Sequence, residues 1–171
     1  YGRGLDGIGS VLVERGMEGF KTVRESSFLS GESCVEIHFD NLFIPGENVL
    51  LGEGGFKKQI SAFNVERLGN TARSLGVGRC AFNIARDHAL SRHQVGRTRC
   101  GFQGRQVKFA DMERQRQAAQ LLLYRAATNA DKGFPSPMET AIAKTFCNQA
   151  GFDAANEALQ VMGGLGYTDQ T

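Results

Sequence analysis

The sequence lacks the features that would assign it to a membrane, a metal site or an oxidising compartment. No apolar run approaches the roughly 20 residues of a membrane-spanning helix, and we find no signal-peptide pattern in it. Its cysteines and histidines form no CxxC pair and no metal-ligand spacing, so we expect no metal and a reducing compartment. These residues are Cys34, Cys80, Cys100, Cys147, His38, His88 and His93.

Acidic residues are absent from one stretch, between Arg92 and Lys108, although the net charge of the whole chain is only +2. A basic stretch of this kind has two interpretations, and the residues alone leave both open. Arginine forks pair bidentately with phosphate, or the loop is simply solvated. Nucleic-acid binding would also need exposed aromatic residues, and only Phe102 and Phe109 are nearby. We therefore expect no nucleic-acid partner.

The first third of the chain has the signals of β-strands. Hydrophobic residues make up 41% of the sequence and charged residues 22%, which is typical of a globular protein. An extended piece is predicted from Lys21 to Phe28. After it, Val35, Ile37 and Phe39 alternate with polar residues, which predicts a strand with one buried and one wet face. Strands so close in sequence are expected to pair antiparallel.

A long helix is predicted to begin at Phe56 and to end between Ser91 and Gly96, because apolar residues recur there at helical spacing. Three glycines interrupt it: Gly69, Gly76 and Gly78. Each costs roughly 1 kcal/mol of helix propensity relative to alanine. We expect the close approach of another helix or of a bulky ligand to compensate.

Two further helices are predicted. The second runs to about Ala130, with Val107 and Leu121 on its buried side and Arg116 in solvent. The third begins where Ser136 precedes Pro137, and Glu139 lies three residues after that serine, the pattern of a capping box.

The predicted fold class is α+β. An antiparallel β domain remnant, residues 1–54, is followed by an up-down α-helical bundle domain, residues 55–171. Short loops between long helices favour the up-down arrangement. The bundle is incomplete, because a fourth helix is not encoded in this stretch.

Glu66 lies beside the apolar stripe of the first helix, one residue after Val65 and two before Leu68. A carboxylate in this position is either at the solvated edge of the helix or in a cleft where it does chemistry. The residues alone leave both interpretations open.

A series of motifs resembles the acyl-CoA dehydrogenase family of flavoproteins, over essentially the whole chain. No single motif is decisive, but the order of the series is specific. It consists of Phe39-Asp40-Asn41-Leu42-Phe43-Ile44-Pro45, Leu51-Gly52-Glu53-Gly54-Gly55-Phe56, Glu66-Arg67 with Ala72 and Gly76, Arg92-His93-Gln94-Val95-Gly96, Phe102-Gln103, Ala110-Asp111-Met112, Ala143-Lys144 and Gln160-Val161-Met162-Gly163-Gly164-Leu165-Gly166-Tyr167.

The resemblance implies an internal piece of a longer enzyme that works in fatty acid or amino acid catabolism. The family's middle β domain and C-terminal four-helix domain would be present in part, in a homotetramer or dimer. The implied partners are an acyl-CoA substrate and electron-transfer flavoprotein as electron acceptor. The implied location is the cytoplasm of a bacterium or the mitochondrial matrix of a eukaryote.

The resemblance also implies an FAD site. The residues at FAD-contacting positions are Arg92, Gln94, Val95, Gln103, Gln160 and Gly164, and the arginine loop and the glycine end would reach the cofactor of a neighbouring subunit. The family usually has Phe where this chain has Val95, so that contact with the adenine part is expected to be weaker. The implied substrate-binding residues are Phe63, Asn64 and Arg67.

The identity of the catalytic base divides the family. Most members take it from a glutamate beyond the Gly-Gly-x-Gly-Tyr motif, past residue 171. The isovaleryl-CoA and long-chain enzymes instead have a glutamate directly before the arginine of the first helix, as in Glu66-Arg67. The resemblance therefore implies Glu66 as the base that removes the α-proton while hydride passes to FAD. The alternatives are a later base, an inactive or reductive relative, and a basic helical module that binds nucleic acid.

Overall fold

The computed structural model describes residues 4–130 and 133–169. Contacts divide the chain into two compact units, with the division between Ile60 and Ser61. The first unit contains short antiparallel strands and the second is helical. The α+β fold class predicted from the sequence is confirmed, with three helices in the described ranges.

The described residues of the first unit form four strands in two antiparallel pairs. They are β1 (Ser10–Val11), β2 (Phe20–Ser27), β3 (Ser33–Phe39) and β4 (Val49–Leu51). Strands β2 and β3 form a hairpin in which Phe20 lies opposite Phe39 and Ser27 opposite Ser33. Strand β1 pairs with β4. The register of β2 shifts around Val23, which is a β-bulge.

The predicted burial of one face of β3 is wrong for this chain. Val35, Ile37 and Phe39 are 44%, 43% and 59% exposed. Within the described residues β3 pairs only with β2. A two-stranded ribbon has no second layer that covers either of its faces, so the apolar side chains of the alternating pattern remain exposed.

The helical unit contains most of the long helix α1 (Phe56–Ser91), together with α2 (Gln103–Thr128) and α3 (Pro137–Met162). A small hairpin of β5 (His93–Gln94) and β6 (Arg97–Thr98) joins α1 to α2. The core consists of two clusters of mostly small residues. One is Leu68, Ala119, Leu123, Ala126, Ala143, Cys147 and Ala150, and the other is Ala85, Ala89, Met112, Ala154, Ala158, Val161 and Met162.

The predicted buried side of α2 is partly wrong. Val107 and Leu121 are 53% and 68% exposed, whereas Arg116 is only 23% exposed. Small residues such as Ala119 form the helix contact instead. Alanine allows two helix backbones to approach closely. The larger apolar side chains of α2 are divided: Met112 and Leu123 are buried, whereas Val107 and Leu121 are exposed.

The beginning of α3 at Pro137 is confirmed, but the predicted capping box is not formed. Ser136 makes no side-chain hydrogen bond to the helix. The carboxylate of Glu139 instead accepts hydrogen bonds from Arg125 Nε at 2.9 Å and Asn129 Nδ2 at 3.1 Å. A guanidinium is a stronger partner for a carboxylate than a neutral backbone N–H, so this link to α2 replaces the cap.

Candidate cofactor site and candidate base

The loop after α1 is a tight hairpin whose turn is formed by Val95 and Gly96. Both residues have positive φ angles, 53° and 75°, as a type I′ turn requires. Gln94 and Arg97 pair across it. A β-branched residue is uncommon in this left-handed region. Val95 is therefore held in a strained conformation, and its side chain is 90% exposed.

The C-terminal end of α3 is attached to this loop and to the start of α2 by two arginines. Arg99 donates from Nη1 to the carbonyl oxygen of Met162 at 3.3 Å. Arg105 donates from Nη1 to the carbonyl oxygen of Gln160 at 3.0 Å. The last carbonyls of a helix have no partner within the helix and carry partial negative charge. The arginines therefore satisfy and neutralise this helix end.

Positive charge accumulates between these elements. The pKa of Arg99 is lowered, mainly by burial and to a smaller extent by the charges of Arg105 and Arg92. The pKa of His88 is also lowered, mainly by burial and to a smaller extent by the charges of Arg99 and Arg92. In the described ranges none of these four groups forms an ion pair with a carboxylate. Nε of Arg99 and Nε2 of His88 are buried and have no hydrogen-bond partner there.

We call Arg92, Arg99 and Arg105, with His88 beside them, the cationic cluster. It has no carboxylate partner in the described ranges and has unused buried nitrogens, so it suits an anionic group. The pyrophosphate of FAD has this chemistry, since arginine forks bind phosphate oxygens with charge-assisted hydrogen bonds. The donor set therefore fits the cofactor implied by the sequence. It would also fit other phosphate groups.

The cofactor residues predicted from the sequence lie on three neighbouring segments. Arg92 follows α1, and Gln94 and Val95 lie in the small hairpin. Gln103 is the first residue of α2. Gln160 lies in the last turn of α3, and Gly164 in the 3₁₀ turn after it, Gly163–Tyr167. The two arginine bonds to the end of α3 bring these segments together.

The sequence analysis missed Arg99 and Arg105. Both residues act through bonds to distant carbonyl groups: Arg99 and Met162 are 63 positions apart, and Arg105 and Gln160 are 55 apart. The sequence carries only an indirect signal for them, the absence of acidic residues between Arg92 and Lys108.

The candidate base lies near the beginning of α1. Glu66 is exposed and accepts a hydrogen bond from Asn70 Nδ2 at 3.4 Å. Arg67 does not pair with it, because its Nη1 donates to Asn64 Oδ1 at 2.9 Å. Asn64 is only 2% exposed, whereas Phe63 is 40% exposed. The two adjacent charged side chains therefore have separate partners.

Glu66 and the cationic cluster are far apart within one chain. Both Glu66 and His88 belong to α1, and their positions are 22 apart in sequence. At 1.5 Å per residue this corresponds to about 33 Å along the helix. Within one chain, Glu66 and the cationic cluster therefore lie too far apart to contact the same reacting atoms.

Comparison with known proteins assigns the family. Residues 53–171 match the sequence profile of the acyl-CoA dehydrogenase C-terminal domain. The chain belongs to the acyl-CoA dehydrogenase family, a family of FAD oxidoreductases. The resemblance stated from the motifs is confirmed.

Individual relatives show the range of this family. An acyl-CoA dehydrogenase of Bacillus subtilis (strain 168) is 36% identical over 168 residues, which cover 96% of this chain and 44% of the relative. An acryloyl-CoA reductase (NADH) of Anaerotignum propionicum is 32% identical and covers 96% of this chain and 43% of its own length.

Solved structures share the fold. Butyryl-CoA dehydrogenase from Megasphaera elsdenii has a TM-score of 0.92 and 32% identity, over 99% of this chain and 45% of that one. A structure described as the electron transferring flavoprotein of Acidaminococcus fermentans has a TM-score of 0.91 and 33% identity, over 97% of this chain and 44% of that one. The chain spans less than half the length of each of these proteins. None of its described helices is long and apolar enough to cross a bilayer.

Proposed function

We propose that this chain is part of an FAD-dependent acyl-CoA dehydrogenase that converts an acyl-CoA thioester to the 2,3-enoyl-CoA. Glu66 is the base that removes the α-proton. Residues 1–54 belong to its β domain and residues 55–171 to its helical domain, a division supported by the start of α1 at Phe56 and of the family match at residue 53.

The hydrogen bond between Arg67 and Asn64 carries the assignment of Glu66. It turns the neighbouring guanidinium away, so Glu66 keeps a carboxylate without an ion pair in the described part of the chain. A carboxylate that is neutralised by arginine is a weak proton acceptor. Exclusion of water by a bound acyl chain strengthens a carboxylate as a base, because desolvation disfavours its charged form.

FAD is the cofactor of the proposed enzyme, and when bound it accepts the hydride that leaves the β-carbon. Arg92, with Gln94, Val95 and Gln103 nearby, would hold its phosphate and adenine parts. Gln160 and Gly164 would contact it from the end of α3. His88, beside the arginines, lies about 33 Å along α1 from Glu66. We therefore assign these residues to the cofactor of a neighbouring copy, in a homotetramer or dimer.

The substrate is a short or branched acyl-CoA. The names of relatives support a short chain, since butyryl-CoA dehydrogenase is among the structural neighbours. Phe63 supplies an exposed apolar surface one helical turn before Arg67, and Asn64 orients Arg67. Electron-transfer flavoprotein is the proposed electron acceptor, in the cytoplasm of a bacterium or in the mitochondrial matrix of a eukaryote.

The complete gene product tests this proposal. Glu66→Gln keeps the shape of the side chain and removes its basicity, so turnover of butyryl-CoA is expected to fall to background while the absorption spectrum of bound FAD remains. Asp111→Asn, an exposed change on α2, is the control and should leave turnover unchanged. Full turnover by the Glu66→Gln protein would place the base beyond residue 171.

A second candidate function is the reverse reaction, reduction of an enoyl-CoA, and the relationship to acryloyl-CoA reductase (NADH) favours it. Anaerobic mixing with a panel of saturated acyl-CoA esters separates the two. Rapid bleaching of the flavin supports the dehydrogenase. No bleaching by any ester, with oxidation of reduced flavin by acryloyl-CoA, supports the reductase.

A further inference from the structure

Arg99 contacts both halves of the proposed cofactor-binding set. Its backbone N–H donates to the carbonyl oxygen of Arg92 at 2.9 Å. Its Nη1 donates to the carbonyl oxygen of Met162 at 3.3 Å. Both terminal nitrogens lie 3.6 Å from the position that a Cβ on Gly163 would occupy. A single residue therefore joins the loop after α1 to the turn after α3.

Arg105 makes a second connection of the same kind. It lies in the first turn of α2, where its backbone N–H donates to the carbonyl oxygen of Phe102 at 2.9 Å. Its side chain donates to the carbonyl oxygen of Gln160 at 3.0 Å. The start of α2, which carries Gln103, is thereby joined to the last turn of α3.

The turn that these arginines hold is rich in glycine. Gly163 has a φ of 69°, and Gly164 and Gly166 follow it. Glycine loses more conformational freedom than any other residue when it is ordered. A binding surface made of such a turn is costly to order, and contacts that order it in advance lower the cost of binding.

We propose that Arg99 is a positioning residue that holds the Gly163–Tyr167 turn and the Arg92 loop in the relative placement that FAD binding requires, with Arg105 as the second connection. This inference rests on the proposed function. In this proposal Arg99 acts by bonding to the carbonyl oxygens of Arg92 and Met162. Arg92 and Gln160, in contrast, are expected to contact FAD directly.

Arg97 provides a matched control. It carries the same charge in the same loop, but its guanidinium stacks over the ring of Phe102, with 4.1 Å between guanidinium carbon and ring centroid. In the described ranges it forms no hydrogen bond with α3. Removing Arg97 therefore removes one positive charge and its contact with Phe102 from this loop, but no bond to α3.

The experiment compares Arg99→Met, Arg99→Lys and Arg97→Met in the complete gene product. The dissociation constant for FAD is measured by flavin fluorescence. Hydrogen exchange of the apoprotein is measured in the peptide that contains Gly163–Tyr167. A charged hydrogen bond is lost in Arg99→Met, so its dissociation constant is expected to rise about tenfold or more. Arg97→Met should change it by less than about twofold.

Hydrogen exchange supplies a readout that does not depend on the cofactor. Arg99→Met should accelerate exchange in the Gly163–Tyr167 peptide and leave the middle of α1, around Leu75, unchanged. Arg99→Lys keeps the charge and a single donor nitrogen in place of the guanidinium fork, so it should give intermediate values in both measurements. If Arg99→Met does not fold, Arg99→Lys and Arg105→Met carry the same comparison.

The proposal is overturned if Arg99→Met binds FAD as tightly as the wild type, or if Arg97→Met loses as much affinity, which would make charge the cause. It is also overturned if exchange in the glycine turn is unchanged. Absence of FAD binding by the wild-type protein has a different meaning. It contradicts the proposed function, and the exchange of the apoprotein still decides whether Arg99 orders the turn.

Discussion

Gly78 of α1 and Gly151 of α3 lie face to face. A Cβ on Gly78 would be 3.1 Å from the Cα of Gly151, and a Cβ on Gly151 would be 2.5 Å from the carbonyl oxygen of Ser74. The two helix backbones therefore meet where neither has a side chain. This explains Gly78, one of the three glycines that interrupt α1. Gly69 and Gly76 have no such neighbour among the described residues.

The glycine contact predicts opposite effects for two similar substitutions. Gly151→Ala forces a methyl group against the backbone of α1, so the free energy of unfolding should fall by about 2 kcal/mol or more. Gly76→Ala meets no atom within 4 Å and improves helix propensity, so it should stabilise by up to about 1 kcal/mol. Urea unfolding of both variants measures these changes. Equal effects would contradict the helix contact.

Val95 predicts a stabilising substitution. Its φ of 53° is unfavourable for a β-branched side chain, and asparagine adopts this region more readily. Val95→Asn should therefore raise the free energy of unfolding by about 1 kcal/mol. Thermal unfolding of the apoprotein measures the gain, with Val107→Asn at an exposed helical position as the control. A decrease in stability would show that the turn does not have this conformation.

We expect the ion pair of Glu113 to make the stability of the protein depend on pH. A hydrogen bond from Arg116, with a smaller contribution from Gln117, lowers the pKa of Glu113 from 4.5 to about 2. A lowered carboxyl pKa means that the pair contributes its full stability above pH 4.5 and loses it as the pH falls toward 2. The difference in unfolding free energy between wild type and Glu113→Gln should therefore shrink over this range.

The control for this prediction is Asp111→Asn on the same helix. Asp111 pairs with Arg114 at the same sequence spacing, but both side chains are more than half exposed. Exposed pairs contribute little, so this variant should be close to wild type at every pH. A difference for Glu113→Gln that stays constant between pH 6 and pH 3 would contradict the lowered pKa.

Cys147 is predicted to be unreactive in the folded protein. Its side chain is fully buried, its Sγ donates to the carbonyl oxygen of Ala119 at 3.1 Å, and burial raises its pKa to about 11. Only the thiolate reacts with iodoacetamide. At pH 8 the exposed Cys34 should be alkylated while Cys147 is not, and urea should abolish the difference. Peptide mass spectrometry reads out both sites.

Much of the fold could be predicted because its signals are local. Proline after serine indicated the start of α3, and the alternation of Val35 with its neighbours indicated β3. What could not be predicted depends on which other helix or strand an element packs against. Ala119 and Leu123, rather than Leu121, lie in the helix contact of α2, and Glu139 bonds to Arg125 instead of capping α3. Such choices are made between elements that are distant in sequence.

The candidate site, too, could be predicted only in part. Motif resemblance identified Arg92, Gln160 and Glu66 as positions of interest. It did not identify Arg99, whose partners are backbone carbonyls and therefore leave no trace in residue type. Glu66 and Arg67 have separate hydrogen-bond partners, which agrees with helix geometry because adjacent residues point about 100° apart.

Exchange of the substrate α-proton with solvent tests the central claim most directly. The FAD-loaded complete protein is incubated with butyryl-CoA in D₂O without an electron acceptor, and deuterium at the α-carbon is followed by mass spectrometry. We predict rapid exchange by the wild type, slower exchange by Glu66→Asp and none above background by Glu66→Gln. Exchange by Glu66→Gln at the wild-type rate would contradict the role of Glu66 as the base.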